Sequence, residues 1–252
     1  MSSTGSIIFF CFGFLFGIIL FWIGLSKFRR KKLIENTPTS NIRSIAMGLV
    51  EISGNVVADK KNILTSPFSK KDCVYYNYKI EEYRKSGKHS TWVTVKEECK
   101  YVYFFVEDNT GTVLVDSKDA EINVSETFKL ESGFGKEPTQ PLKDFLKNKD
   151  MNFKGMLGFN KTMRFIEWAI FPKDKVYVLG TAGDNPYVEE GMAQTSTQDI
   201  MIHKDNNIFF ISNESEKEIL SELGKGVYLF TLGGGAISIA CLYFIMLYFN
   251  IL

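Results

Sequence analysis

Apolar positions are segregated at the two ends of this chain. Met1–Ser26 carries no charged residue, and Ile7–Leu25 is almost wholly apolar; Gly226–Leu252 again carries no charge. A helix rises about 1.5 Å per residue, so about 20 apolar residues cross a hydrocarbon core about 30 Å thick. Both ends reach that length, which predicts transmembrane helices over residues 1–26 and 226–252. A buried core helix would be shorter and amphipathic.

The middle of the chain follows a different period. Val74–Tyr83 places Val74, Tyr76, Tyr78 and Ile80 on one face and Tyr75, Asn77, Lys79 and Glu81 on the other, the alternation of a half-buried strand. Ser86–Ser90 then turns the chain into Thr91–Lys96, giving a long hairpin. Tyr101–Val106 and Thr112–Val115 flank Asp108-Asn109-Thr110-Gly111, a second hairpin signal. Met47–Val57 reads as a strand interrupted at Gly54. Strand character returns at Lys175–Gly180 and Asn207–Ile211, with a polar loop over Thr181–Gln198. Beyond Asn123 the pattern loosens. Pro141–Lys147 predicts a short helix with proline in its first turn, and Met151–Phe159, which has no period, reads as a loop over the core or against lipid or a partner. Ser215-x-x-Glu218 is a capping-box signal ahead of Ile219, Leu220 and Leu223, so a short helix should lead to the second span.

The expected organisation is a transmembrane helix at 1–26, a basic juxtamembrane linker at 27–41, a β-rich domain at 42–212, a short helical stalk at 213–225 and a second transmembrane helix at 226–252. The fold class expected is mainly β, barrel-like and OB-like in form, with short helices, plus the two transmembrane α-helices.

Charge adds an orientation. The first span is followed at once by Lys27, Arg29, Arg30, Lys31 and Lys32, a stop-transfer pattern; no basic residue precedes the apolar run, as a cleaved signal peptide would require. Short basic flanks stay on the cytoplasmic side. This predicts an integral, two-pass membrane protein with a cytoplasmic central domain and both termini outside. The same cluster suits anionic lipid headgroups. Setting those five residues aside leaves 25 basic residues against 29 acidic ones, with no long basic stripe, which excludes a nucleic-acid partner.

Candidate chemistry is sparse. Cys11 and Cys241 lie in the spans, while Cys73 and Cys99, in a cytoplasmic domain, should be reduced thiols. His89 and His203 are the only imidazoles and no Cys-x-x-Cys pair occurs, so no metal site and no cofactor are expected. Glu81 and Glu82 point to opposite faces of a strand, and neither a G-x-S-x-G elbow nor a phosphate loop is present. No catalytic residue is assigned. A thiol hydrolase built on Cys73 with His89 or His203 is an alternative. The hairpin tip gathers Arg84, Lys85, Lys88 and His89 beside Tyr83 and Trp92, locally basic in a slightly acidic domain. That combination suits a protein or peptide partner or lipid phosphate; the competing reading is a solvated turn whose lysines protect an edge. Gly13 and Gly17 form a G-x-x-x-G face, and Gly234 with Ser238 offers a small-x-x-x-small face, through which the spans can pack on each other or on another copy.

These segments carry a resemblance. Arg43–Glu51 (RSIAMGLVE), Ser66-Pro67, Cys73–Tyr76 (CVYY), Glu82-Tyr83, Asp108–Asp116 (DNTGTVLVD), Glu167, Asp174–Ala182 (DKVYVLGTA) and Ile211–Leu220 (ISNESEKEIL) resemble the GIDE domain. That domain is found in mulan-type mitochondrial membrane E3 ubiquitin ligases and in shorter membrane proteins. The resemblance implies two flanking spans and a recognition or regulatory role for the domain. In those ligases a RING finger follows the second span, and it needs about eight Cys/His ligands for two zinc ions. This sequence has four Cys and two His in all. The expectation is therefore a non-enzymatic membrane-anchored binding or scaffold module, with a ligase-like component acting alongside a separate RING partner as the alternative.

Overall fold

The computed structural model describes residues 3–87, 89–133, 135–152, 160–187, 199–205 and 208–249. The chain forms two compact units, one of Met1–Pro38 with Ser215–Leu252 and one of Thr39–Glu214.

The first unit is a helical hairpin of α1 (Ser3–Asn36) and a C-terminal helix, α3 (Glu216–Tyr248). At 34 and 33 residues, each is about 50 Å long. Both are long and apolar enough to cross a bilayer, and only 11% and 6% of their apolar windows are buried, so the apolar faces look outward as a soluble core helix would not allow. Two boundaries differ from expectation. The basic cluster lies on α1 rather than in a linker, because the first helix breaker is Thr37-Pro38; a residue before proline is pushed out of the helical region. The stalk and second span are one uninterrupted helix, since no proline occurs between Glu216 and Tyr248. Its capping box forms as predicted: the Ser215 hydroxyl accepts the Glu218 N–H, and the Glu218 carboxylate accepts the Ser215 N–H at 2.8 Å.

The helices run antiparallel. Phe10 stacks on Phe244 with centroids 4.8 Å apart, Gly13 meets Cys241, Gly17 meets Gly234 and Ser238, and Gly24 meets Thr231. A Cβ added at Gly17 would stand 2.8 Å from the Ser238 nitrogen and 2.9 Å from the Gly234 carbonyl; one at Gly234 would stand 2.6 Å from the Phe21 nitrogen. Backbone faces backbone here, which only small residues permit.

The second unit begins with a 3-10 turn (Ile42–Ser44) and holds β1 (Gly48–Ala58), β2 (Leu64–Thr65), β3 (Asp72–Cys73), β4 (Tyr75–Ser86), β5 (His89–Tyr101), β6 (Phe104–Glu107), β7 (Thr112–Val115), β8 (Glu121–Asn123), β9 (Glu126–Ser132), α2 (Gln140–Asn148), β10 (Met163–Ile170), β11 (Lys175–Asp184), β12 (Ile200–His203) and β13 (Phe210–Ser212). Strands β1, β6, β7, β12 and β11 close into a ring, because β11 pairs back onto β1. The β7–β12 pair is parallel and the other four pairs are antiparallel. This is a five-stranded barrel in which the third and fifth strands run side by side, the OB topology. Its interior is filled by Ile52, Val56, Phe104, Val106, Val113, Val115, Val178 and Ile202.

Two insertions build a second layer. The chain between the first two barrel strands supplies β4 and β5, and the chain between the third and fourth supplies β9, α2 and β10. Together they form an antiparallel sheet in the order β5-β4-β10-β9. Tyr76, Tyr78 and Ile80 share one face as predicted, towards a core with Phe68, Phe165 and, from α2, Leu142 and Leu146, whereas Val74 precedes β4 and with Tyr75 is buried in the barrel-side core. Gly54 does not interrupt β1. A side chain there would meet the Glu107 carbonyl and lie 2.8 Å from Val106, so the glycine lets β6 cross closely.

Candidate partner-binding surface

The β4–β5 hairpin is the longest pairing in the molecule, running from Tyr75↔Tyr101 to Ser86↔His89 with one bulge between Ile80 and Glu81. Gly87 follows the last residue of β4. Gly87 has φ +61°, as the mirror-image turns that match strand twist require. Lys88 lies outside the described residues. Strand β10 supports β4 only as far as Glu82, and the Tyr83 N–H donates to the Thr162 carbonyl at 2.8 Å. Arg84–Ser86 and His89–Thr91 therefore project past the sheet as a two-stranded arm about 10 Å long.

The arm is fastened at its root. Trp92 packs on Tyr83 with centroids 5.1 Å apart, and the Arg164 guanidinium lies 4.0 Å from the indole centroid. Arg164 also pairs with Glu131 at 2.8 Å and Glu81 at 3.4 Å. On the opposite face, Glu98 accepts hydrogen bonds from Tyr78 (3.0 Å) and from Lys149 (2.8 Å), at the end of α2. The Lys149 ammonium, working against burial and helped by Tyr78 and Lys100, holds the Glu98 carboxyl down at about 2. The predicted cluster thus divides. Arg84, Lys85 and His89 are exposed on the projecting arm, with Arg84 folded onto Glu82 at 2.8 Å, whereas Trp92 is half-buried and belongs to the root.

The other predicted residues fall elsewhere. Gly13, Gly17, Gly234 and Ser238 line the contact between α1 and α3. In the basic cluster, Lys31 and Lys32 both pair with Glu35 (3.2 and 2.9 Å), and Lys27 sits 5.9 Å from the Phe230 ring centroid. Arg29 is exposed and Arg30 half-buried. Cys73 is fully buried at the root of β4, and burial, with Glu167 and Asp72 nearby, pushes its thiol up to about 12. His89 is at the far end of β4, about 40 Å of strand away. His203 covers Gly183 on the barrel. The structure thus does not join Cys73 to His89, one of the two pairings on which a thiol hydrolase would rest. Among the described residues no group of three His, Cys, Asp or Glu side chains is placed to hold a metal ion.

Several motif residues prove to be internal clamps. Glu167, fully buried in β10, accepts the Phe68 N–H at 2.6 Å, the Ser69 N–H at 3.3 Å and the Ser69 hydroxyl, fixing the Ser66-Pro67-Phe68-Ser69 turn. Asp108 accepts the N–H groups of Thr110 (2.7 Å), Gly111 (2.9 Å) and Ile42 (2.9 Å), joining the β6–β7 turn to the 3-10 turn. Burial opposes ionisation of Asp108, but these bonds win and lower its pKa. Glu51 is buried and accepts hydroxyl bonds from Tyr177 (2.6 Å) and Thr39 (2.5 Å). The sequence places Asp108 in a hairpin turn but leaves Glu51 and Glu167 without a role. A carboxylate in an otherwise apolar strand, as in Met163–Ile170, is the signal that could have found Glu167.

Fold and surface together define a class: an OB-topology barrel, extended by a hairpin-bearing sheet, in a chain with two helices able to cross a membrane. The chain belongs to the GIDE family, described as E3 ubiquitin ligase, whose profile matches residues 75–244, more than half of the chain. The match opens at Tyr75, so the Arg43–Glu51 and Ser66-Pro67 segments precede it. Nothing among the curated proteins matches the chain, and no solved structure does.

Proposed function

We propose that this chain is a membrane-anchored, non-enzymatic binding module that presents the β4–β5 arm to a protein or peptide partner. The observation that carries the reading is the arm itself. A hairpin held at its root by the Arg164–Trp92–Tyr83 stack and by Glu98–Lys149 carries Arg84, Lys85 and His89 on a projecting end. A root fixed in this way lowers the conformational entropy lost when a partner engages the arm. The Lys27–Lys32 cluster supports a cytoplasmic domain with both termini outside. The test is proximity labelling from the native membrane with the parent and with Arg84, Lys85 and Lys88 all changed to Ser. Loss of a defined subset of labelled proteins is expected; an unchanged set would reduce the arm to a turn.

The family description favours a second reading, in which the module is one component of a ubiquitin-ligase assembly and works with a separate RING partner. Ubiquitin-conjugating machinery should then be within the subset that depends on the arm. A labelled set without it argues for the plain binding module.

A further inference from the structure

The junction between the sheet and the barrel keeps strict alternation. Val102, Phe104 and Val106 turn into the barrel core, and Tyr101, Tyr103 and Phe105 alternate with them and are all exposed. On β6 an outward position of a barrel should be polar. Here Phe105 is flanked in register by Val57 of β1 and Leu114 of β7, and Leu114 in turn by Met201 of β12. Of these, Val57 and Phe105 are exposed on the outside of the barrel, whereas Leu114 and Met201 are buried. Tyr187, 61% exposed in the connection after β11, packs on Tyr103 with centroids 5.1 Å apart and donates a hydrogen bond to its hydroxyl at 2.5 Å. That bond fixes two exposed rings that would otherwise rotate. Exposed, contiguous and pre-oriented aromatics mark an interaction surface rather than scattered apolar residues.

The charge around this surface selects the partner. Residues 104–123 and 175–214, which supply four of the five barrel strands, hold eleven acidic residues and three basic ones, Lys118, Lys175 and Lys204. The inserted segments 59–103 and 124–174 hold nineteen basic residues against thirteen acidic ones. Phe105 and Tyr187 belong to the acidic segments, while Tyr101 and Tyr103 close the inserted one, so the aromatic surface lies where the two meet in the chain. Glu107 follows Phe105 on the same face of β6, and the bond with Tyr187, then burial, then the nearby Asp116 carboxylate push the Tyr103 hydroxyl up to about 12. Barrels of this topology commonly offer this side to oligonucleotides or oligosaccharides; the negative charge rejects a polyanion. Rows of aromatic rings edged by carboxylates suit an extended peptide whose apolar residues lie across the rings while lysine or arginine meets the acids.

We infer that the outer face formed by Tyr101, Tyr103, Phe105 and Tyr187 is a second binding site, distinct from the hairpin arm, for an extended, positively charged peptide segment. The experiment uses the full chain in lipid nanodiscs, a displayed library of random twelve-residue peptides for selection, and a fluorescein-labelled winner for affinity. Enriched peptides should be net positive. The winner should lose at least about tenfold in affinity with Tyr103→Ser and Tyr187→Ser together, as for removal of a hot spot. It should lose a similar factor with Glu107→Lys and Asp116→Lys, which spare the rings, and weaken as salt is raised. The Arg84, Lys85 and Lys88 variant should bind it as the parent does, so the two sites fail or succeed separately. No enrichment, enrichment of neutral or acidic peptides, indifference to both variant pairs, or tighter binding of a labelled oligothymidylate would overturn the site.

Discussion

Glu167→Ala tests whether a buried carboxylate, rather than hydrophobic packing alone, sets the turn between β2 and β3. Its side chain is wholly buried, and its oxygens serve the Phe68 and Ser69 N–H groups and the Ser69 hydroxyl. Removing the acceptor strands these donors, and each buried unsatisfied group costs about 1–3 kcal/mol. Allowing for relaxation, we expect a loss of about 3–5 kcal/mol, within the range for breaking a buried polar network. For a unit of this size that lowers the melting temperature by on the order of 10 °C. Thermal unfolding of the detergent-solubilised chain, followed by tryptophan fluorescence, reads the global effect. Cys73 gives a local readout, since it lies at the end of the same β2–β3 hairpin and is fully buried. A maleimide that leaves Cys73 untouched in the parent should label it in the variant. Glu167→Gln keeps the shape and one acceptor, so it should lose less and guards against outright misfolding. Parental stability with Cys73 still protected would refute the reasoning.

Other outcomes follow from the same geometry. Gly17→Leu or Gly234→Leu should abolish disulfide crosslinking between cysteines placed at Phe10 and Phe244, because the displaced neighbours are backbone atoms; retained crosslinking would leave the glycines without a packing role. A cysteine at Ser3 should react with an impermeant reagent in intact cells and one at Gly87 should not, and labelling at Gly87 before lysis would reverse the proposed orientation. Glu98 has a folded pKa of about 2 against an ordinary value of 4.5, so its stabilisation is present above the ordinary value and is lost as pH falls through the window between them. Glu98→Gln should flatten the melting temperature across that acid window, and a parental pH profile in the variant would show that Lys149 contributes nothing.

Much of this molecule was legible in the chain. Segregation of apolar residues marks the two long helices because a bilayer imposes a length and forbids charge, and both constraints are local in sequence. The β4–β5 hairpin was legible for a related reason: one face is buried and the other wet, so period two survives in the residues themselves. Strands β10 and β12 were not. Met163–Ile170 pairs on both sides and is mostly buried, which erases alternation, and its central Glu167 reads as polar until the turn it holds is seen. Tyr101–Val106 showed strand character, but that Tyr101, Tyr103 and Phe105 face outward beside Tyr187 depends on where the chain leaves the sheet and enters the barrel. Composition gave a charge near zero, and only the path of the chain assigns the acidic segments to barrel strands and the basic ones to the insertions. The sequence by itself thus determined the elements whose environment repeats every two residues or extends over a whole helix. Tertiary structure decided ring closure of β11 onto β1 and the partners of the buried carboxylates, because each rests on residues far apart in the chain: Gly48 pairs with Ala182, Tyr177 bonds Glu51 across 126 positions and Phe68 bonds Glu167 across 99.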